Sequence, residues 1–164
     1  SWFEQCLIAR RQEETAYRAG AVFDADPPSW QQAVGLTTYY NRHKFHGAFV
    51  TFEGGQRCLT LMSCNGDWPQ GRLDHPIAPV PIPDGPIGLR VEVRGASQQF
   101  FWSSGGQEHP LGPARDAYHV SDEGAQGEHA SFTGAFVGMM AFDITGRGEK
   151  ARFSSFSYAP VAIT

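Results

Sequence analysis

The chain has 164 residues, 41% of them apolar and 13% aromatic, and a formal net charge of −4 with acidic and basic residues interspersed. That length supports one good hydrophobic core and falls short of two ordinary domains, so residues 1–164 are expected to form a single domain. With no basic stripe and no polybasic patch, the composition argues against nucleic acid and membrane surfaces as partners, and no apolar run approaches the roughly 20 residues of a membrane-spanning helix.

In chain order, strand-like runs fall at residues 7–11, 15–23, 33–41, 45–53, 57–63, 88–94, 98–103, 135–143 and 151–158. Turn formers separate them, among them Asp26-Pro27-Pro28-Ser29, Glu53-Gly54-Gly55 and Ser104-Gly105-Gly106. The 19 glycines and 11 prolines suit many turns, and an i, i+3, i+4, i+7 pattern is sustained nowhere. The chain therefore reads as all-β, two facing antiparallel sheets in a β-sandwich of the jelly-roll kind. Residues 4–11 also fit a short helix.

Two stretches break the rhythm. Residues 67–88 carry Pro69, Pro76, Pro79, Pro81, Pro83 and Pro86, and are expected to cross the sandwich edge in extended, polyproline-like form. Residues 105–131 are charged and glycine-bearing and read as a long loop, where function concentrates.

The last third alternates. Phe132, Gly134, Phe136, Gly138, Met140 and Phe142 fall on one side, and Thr133, Ala135, Val137, Met139 and Ala141 on the other. Both sides are apolar, which places this strand inside a sheet. Glycines repeating on one side leave room for another backbone, a large aromatic or a flat ligand. Leu36, Leu59, Leu61, Leu89, Val91, Val93, Phe136 and Phe153 are expected to tend to the interior. Glu92, between Val91 and Val93, should point outward and pair with Arg90 and Arg94.

Little in the sequence points to catalysis. There is no Gly-x-Ser-x-Gly elbow, and His43, His46, His75, His109, His119 and His129 show neither His-x-His nor His-Glu-x-x-His spacing. Glycoside cleavage needs two carboxyl groups held about 5 to 9.5 Å apart, and most acids here lie in turns or at strand ends. Cys6, Cys58 and Cys64 have no zinc spacing and read as thiols of a reducing compartment, favouring a cytoplasmic over a secreted setting. The start, Ser1-Trp2-Phe3-Glu4, lacks signal-peptide character and already sits in an apolar pattern, so the sequence reads as part of a longer chain. Binding chemistry is better represented. Sugar rings offer flat C–H faces and a hydroxyl rim, which suit aromatics placed beside planar polar groups. Tyr39-Tyr40-Asn41-Arg42 and Phe100-Phe101-Trp102 supply both, making Tyr39, Tyr40 and Trp102 candidate saccharide-binding residues, while Trp30, Trp68 and Tyr118 sit beside turns.

Five segments in order resemble the β-sandwich that ends many glycoside hydrolase family 43 enzymes, the β-xylosidases and α-arabinofuranosidases, a domain also described as a xylan-binding module. They are Phe3-Glu-Gln-Cys-Leu-Ile-Ala-Arg-Arg-Gln12, Trp30-Gln-Gln-Ala-Val-Gly-Leu-Thr-Thr-Tyr-Tyr-Asn41, Leu89-Arg-Val-Glu-Val-Arg-Gly95, Val120-Ser-Asp-Glu123 and the closing run from Phe132 to Tyr158. The resemblance implies a concanavalin A-like sandwich and makes residues 4–11 a strand. It also implies that the catalytic carboxylates sit on a separate propeller, so this domain alone is expected to be non-catalytic. Its expected partners are that propeller, xylan or a xylo- or arabino-oligosaccharide, and a second copy where the full-length enzyme forms a homo-oligomer. Similar enzymes take a phenylalanine from the sandwich as one wall of the sugar pocket. Phe132 matches that position, with Phe136 the runner-up and expected in the core. Similar sandwiches often carry one structural calcium, for which Asp143 beside the 146–148 turn is the best candidate. Ser103-Ser-Gly-Gly-Gln-Glu-His109 and Arg152-Phe-Ser-Ser-Phe156 depart from the family pattern. The alternatives are an independent lectin-like module and, further off, a jelly-roll polysaccharide lyase using Tyr39 and His46.

Overall fold

The computed structural model describes residues 4–65, 73–124 and 133–162. Among them run β1 (Glu4–Arg11), β2 (Ala16–Asp24), β3 (Gln32–Asn41), β4 (Lys44–Glu53), β5 (Gln56–Asn65), β6 (Leu73–Asp74), β7 (Val80–Pro81), β8 (Ile87–Arg94), β9 (Ser97–Ser104), β10 (Gln107–Asp116), β11 (Phe136–Asp143) and β12 (Arg152–Pro160), with one 3-10 turn at Ala117–Val120. They form two antiparallel sheets. The larger has the order β1-β11-β3-β4-β5-β6, with β7 also pairing with β5, and the smaller has the order β10-β9-β8-β2-β12. This is the expected two-sheet, concanavalin A-like sandwich, and residues 4–11 are a strand.

The core between the sheets comes from alternation. Leu36, Leu59 and Leu61 from the larger sheet meet Leu89, Val91 and Val93 from the smaller, none more than 2% exposed. Phe23 and Tyr17 are buried beside them, packing on Phe153 and Tyr158 of β12 with ring centroids 4.9 and 4.8 Å apart. Phe153 is half-buried against this cluster, whereas Phe136 is not in it. The set of β11 that faces inward is Val137, Met139 and Ala141. Phe136 alternates to the outer side, half-buried with the Arg11 guanidinium 5.1 Å above its ring. Side-chain alternation decides the face.

The reading of residues 105–131 as loop also needs correction. Gln107–Asp116 is a ten-residue strand paired, among the described residues, only with β9, its register shifting between Leu111 and Arg115. Gly112 there has φ of 67°, the left-handed value glycine adopts readily. Proline is tolerated in such a strand because, among the described residues, one of its edges is unpaired. Within the proline-rich stretch, residues 73–86 lie along the margin of the larger sheet. Its two short strands pair with the margin of β5, and the buried Arg57 guanidinium donates to the carbonyl oxygens of Ala25, Pro83 and Gly85 at 2.9, 2.5 and 2.9 Å.

On the outer side of the smaller sheet, Glu92 points away from the core as its alternation requires. It accepts from Arg18 at 2.6 Å, Arg94 at 2.7 Å and Arg90 at 2.9 Å. Replacing Leu36 by Ala should cost about 2–5 kcal/mol in urea unfolding, the usual cost of such a core truncation. Phe136→Ala should cost less, because its ring is already half in solvent.

Candidate functional site

The larger sheet is apolar on its outer face too. Cross-strand register aligns Leu7, Met140, Gly35, Phe49 and Thr60 across one row, and Ala9, Gly138, Thr37, Gly47 and Met62 across the next. The glycines serve two of the three uses their repetition suggests. A Cβ at Gly138 would run into the Ile8 carbonyl oxygen and the Ala9 backbone, and one at Gly35 into the backbone of Ala48 and Phe49. A Cβ at Gly47 would strike the Phe49 ring. Phe49 thus lies down on the sheet, fully buried, with Phe142 edge-on at 5.5 Å. Around it Ala33, Phe45, Met62, Cys64 and Met140 form a second buried cluster.

Over part of this face runs a groove of about 500 Å³. Phe45, Met62, Met140 and Phe142 supply apolar lining, and Gln5, Arg42, Thr51, Glu53, Thr60 and His75 supply polar lining. Trp30 also lines it while 63% exposed, next to the exposed Ile144. His75 Nδ1 stands 3.3 Å from the Thr60 hydroxyl. Such a surface can take a ligand with an apolar face and a polar edge.

The candidate saccharide residues do not converge here. Tyr39 does belong to the outer face, half-buried, its ring stacked with Phe45 at 6.3 Å. Burial raises its phenol pKa, against a hydrogen bond from Gln5 and the charge of Arg42. Tyr40 turns to the opposite face, 3% exposed against Val120. Trp102 lies on the other sheet, packed on the central core with His109 at 5.0 Å. Phe132 lies outside the described residues; after it, Gly134 takes a φ of 78° and its N–H donates to Asp122 at 3.0 Å. Tyr39 and His46 cannot form a lyase pair, because Thr38, the neighbour of Tyr39, is directly opposite His46 and shares its face. Phe45, Met62 and Phe142 were missed by sequence reasoning. Their only local signal was an apolar residue at alternate positions.

At one end of the sheet Asp143 is a turn former. Oδ1 accepts from the Thr145 hydroxyl at 2.5 Å and N–H at 2.7 Å, and Oδ2 from the Glu149 N–H at 3.2 Å, which together draw its pKa down to about 2. A calcium ion would compete for these same oxygens. Among the described residues no three His, Cys, Asp or Glu side chains cluster as metal ligands. All three cysteines are thiols, Cys6 exposed and Cys58 and Cys64 buried.

His46 is 2% exposed on the inner face of β4. Its Nε2 lies 3.0 Å from the Asp116 carbonyl oxygen and its Nδ1 2.7 Å from the Ser63 hydroxyl. A carbonyl only accepts, so Nε2 carries the proton and Nδ1 accepts. Burial pushes the ring's pKa down to about 4, outweighing the Asp116 bond, which acts in the opposite direction. The unfolded chain, with an ordinary histidine near 6.5, binds more protons between these values. Stability is therefore full above about pH 6.5 and falls as pH drops towards 4. His46→Gln should flatten this part of a plot of Tm against pH; an unaltered slope would assign it to other groups.

Residues 1–159 match the protein family described as the beta xylosidase C-terminal concanavalin A-like domain. The chain is 43% identical over 166 residues to a xylosidase/arabinosidase 43B of Humicola insolens, covering 98% of this chain and 31% of that protein. It is 31% identical over 160 residues to a beta-xylosidase of Bacillus subtilis (strain 168), covering 96% of this chain and 30% of that one. The crystal structure of a xylan beta-1,4-xylosidase from Bacillus halodurans C-125 superposes with a TM-score of 0.86 at 28% identity, over 94% of this chain and 30% of that one. The chain thus spans less than a third of the length of each of these relatives. With a match over nearly its whole length and a sandwich to go with it, this chain belongs to the family of β-xylosidase C-terminal concanavalin A-like domains.

Proposed function

We propose that this chain is the non-catalytic sandwich of a xylan-degrading glycoside hydrolase of the β-xylosidase or α-arabinofuranosidase type. It packs on a catalytic propeller and lends Phe132 as an aromatic wall of the sugar pocket. The observation that carries this reading is the family match over residues 1–159, set against relatives more than three times as long that are named as xylosidases. The titration of the acids supports the non-catalytic part. Among the described residues, the carboxyl groups with shifted pKa values, Glu92, Glu108 and Asp143, are all lowered, whereas the acid of a glycosidase must be raised to hold its proton.

In the full-length enzyme Phe132→Ala should lower kcat/KM for a small aryl pentoside about ten- to a hundredfold, the equivalent of one apolar wall kept in the transition state. Tm should stay where it is. Unchanged kinetics with a destabilised fold would retire the pocket wall. A structural calcium at Asp143 belongs to the same proposal: chelator should lower Tm if the ion is there, and an unchanged Tm removes it. The three thiols support placement in the cytoplasm, which cell fractionation tests, and assembly of the full-length enzyme into a homo-oligomer is read by its mass in solution.

A further inference from the structure

We propose that the groove on the outer face of the larger sheet is a saccharide site in its own right, taking a short xylo-oligosaccharide apart from any pocket that Phe132 lines. This deepens the accessory-domain reading by giving the sandwich its own hold on the polymer.

The groove's volume of about 500 Å³ falls within the usual range of small-ligand sites. Its apolar part, Phe45, Met62, Met140 and Phe142, offers rings and thioethers to the C–H faces of sugar rings. Its polar part supplies planar groups of both hydrogen-bonding senses. Gln5 donates and accepts, Arg42 donates and Glu53 accepts, while the Thr60 hydroxyl beside His75, which donates to the Leu61 carbonyl oxygen, can accept. The opposite charges of Arg42 and Glu53 favour a neutral polyol over an anion or a cation. From Phe142 to the Phe136 row the strand advances six residues, roughly 20 Å at about 3.3 Å each, long enough for several sugar rings end to end. Trp30 adds a broad indole at the same surface, mostly in water and able to stack on a ring.

The test is a titration of this 164-residue chain with xylotetraose, followed by amide chemical shifts and calorimetry. Shifts should gather at Thr51, Thr60, Met62 and Phe142. Trp30→Ala should weaken affinity about tenfold, the upper end of one aromatic contact, and Glu53→Gln severalfold. Both residues are exposed, so Tm should not move. Absence of binding at millimolar xylotetraose, shifts gathered on the smaller sheet, or unaltered affinity in both variants would overturn the proposal. Burial of Trp30 against the rest of the full-length enzyme, seen as a blue-shifted and quencher-shielded indole together with absent binding, would assign the groove to interdomain packing instead. Turnover of Phe132→Ala is read on the full-length enzyme and this titration on the sandwich alone, so either idea can fail without the other.

Discussion

The structure depends on a sheet that is apolar on both faces while only one of them meets a second sheet. Hydrophobic stabilisation scales with the apolar area removed from water, about 25 cal/mol per Å², so the outer face must close by folding its own side chains down. Gly35, Gly47 and Gly138 make that possible by removing Cβ atoms from neighbouring rows, which lets Phe49 lie flat and brings the backbones of β1 and β4 close. What the collapse leaves open is the groove beside Phe45, Met62 and Phe142.

The smaller sheet treats its outer face in the opposite way. Gly20, Gly88 and Ser103 keep it low, and charged side chains cover the rest. Glu92 takes bonds from three arginines, and Arg90 also holds Glu108 while its guanidinium lies 4.0 Å from the Phe101 ring centroid. Exposed ion pairs contribute only about 0–1 kcal/mol each. Their effect here is chemical, because carboxylates already held by guanidinium groups have little left to offer a ligand.

Strands with a regular period were legible in the sequence. The runs that became β3, β4, β5, β8, β9 and β11 were expected to within a few residues. β10 was not, because Pro110, Gly112 and Pro113 are loop formers everywhere except at a sheet edge or bulge. Tyr39 and Tyr40 show the limit of reading binding residues from composition. Adjacent strand residues face opposite ways, so one joined the outer face and the other closed on Val120. The groove was less legible still. Phe45, Met62 and Phe142 come from three strands, and only the antiparallel register of the whole sheet, together with the loops carrying Trp30 and His75, brings them to one place.

Register is also what ties the buried polar groups to the groove. His46 and Ser63 are directly opposite on β4 and β5 and hydrogen-bonded inside the sandwich, while Phe45 and Cys64, one position away on each strand, are opposite on the outer face. A slip of one residue would carry His46 outward, and with it would exchange every floor residue for an inward one. An imidazole buried without Ser63 and the Asp116 carbonyl would be destabilising, since an unpaired buried polar group loses its water without replacement. The same polar pair that makes the fold sensitive to acid therefore also fixes which side chains the outer face presents.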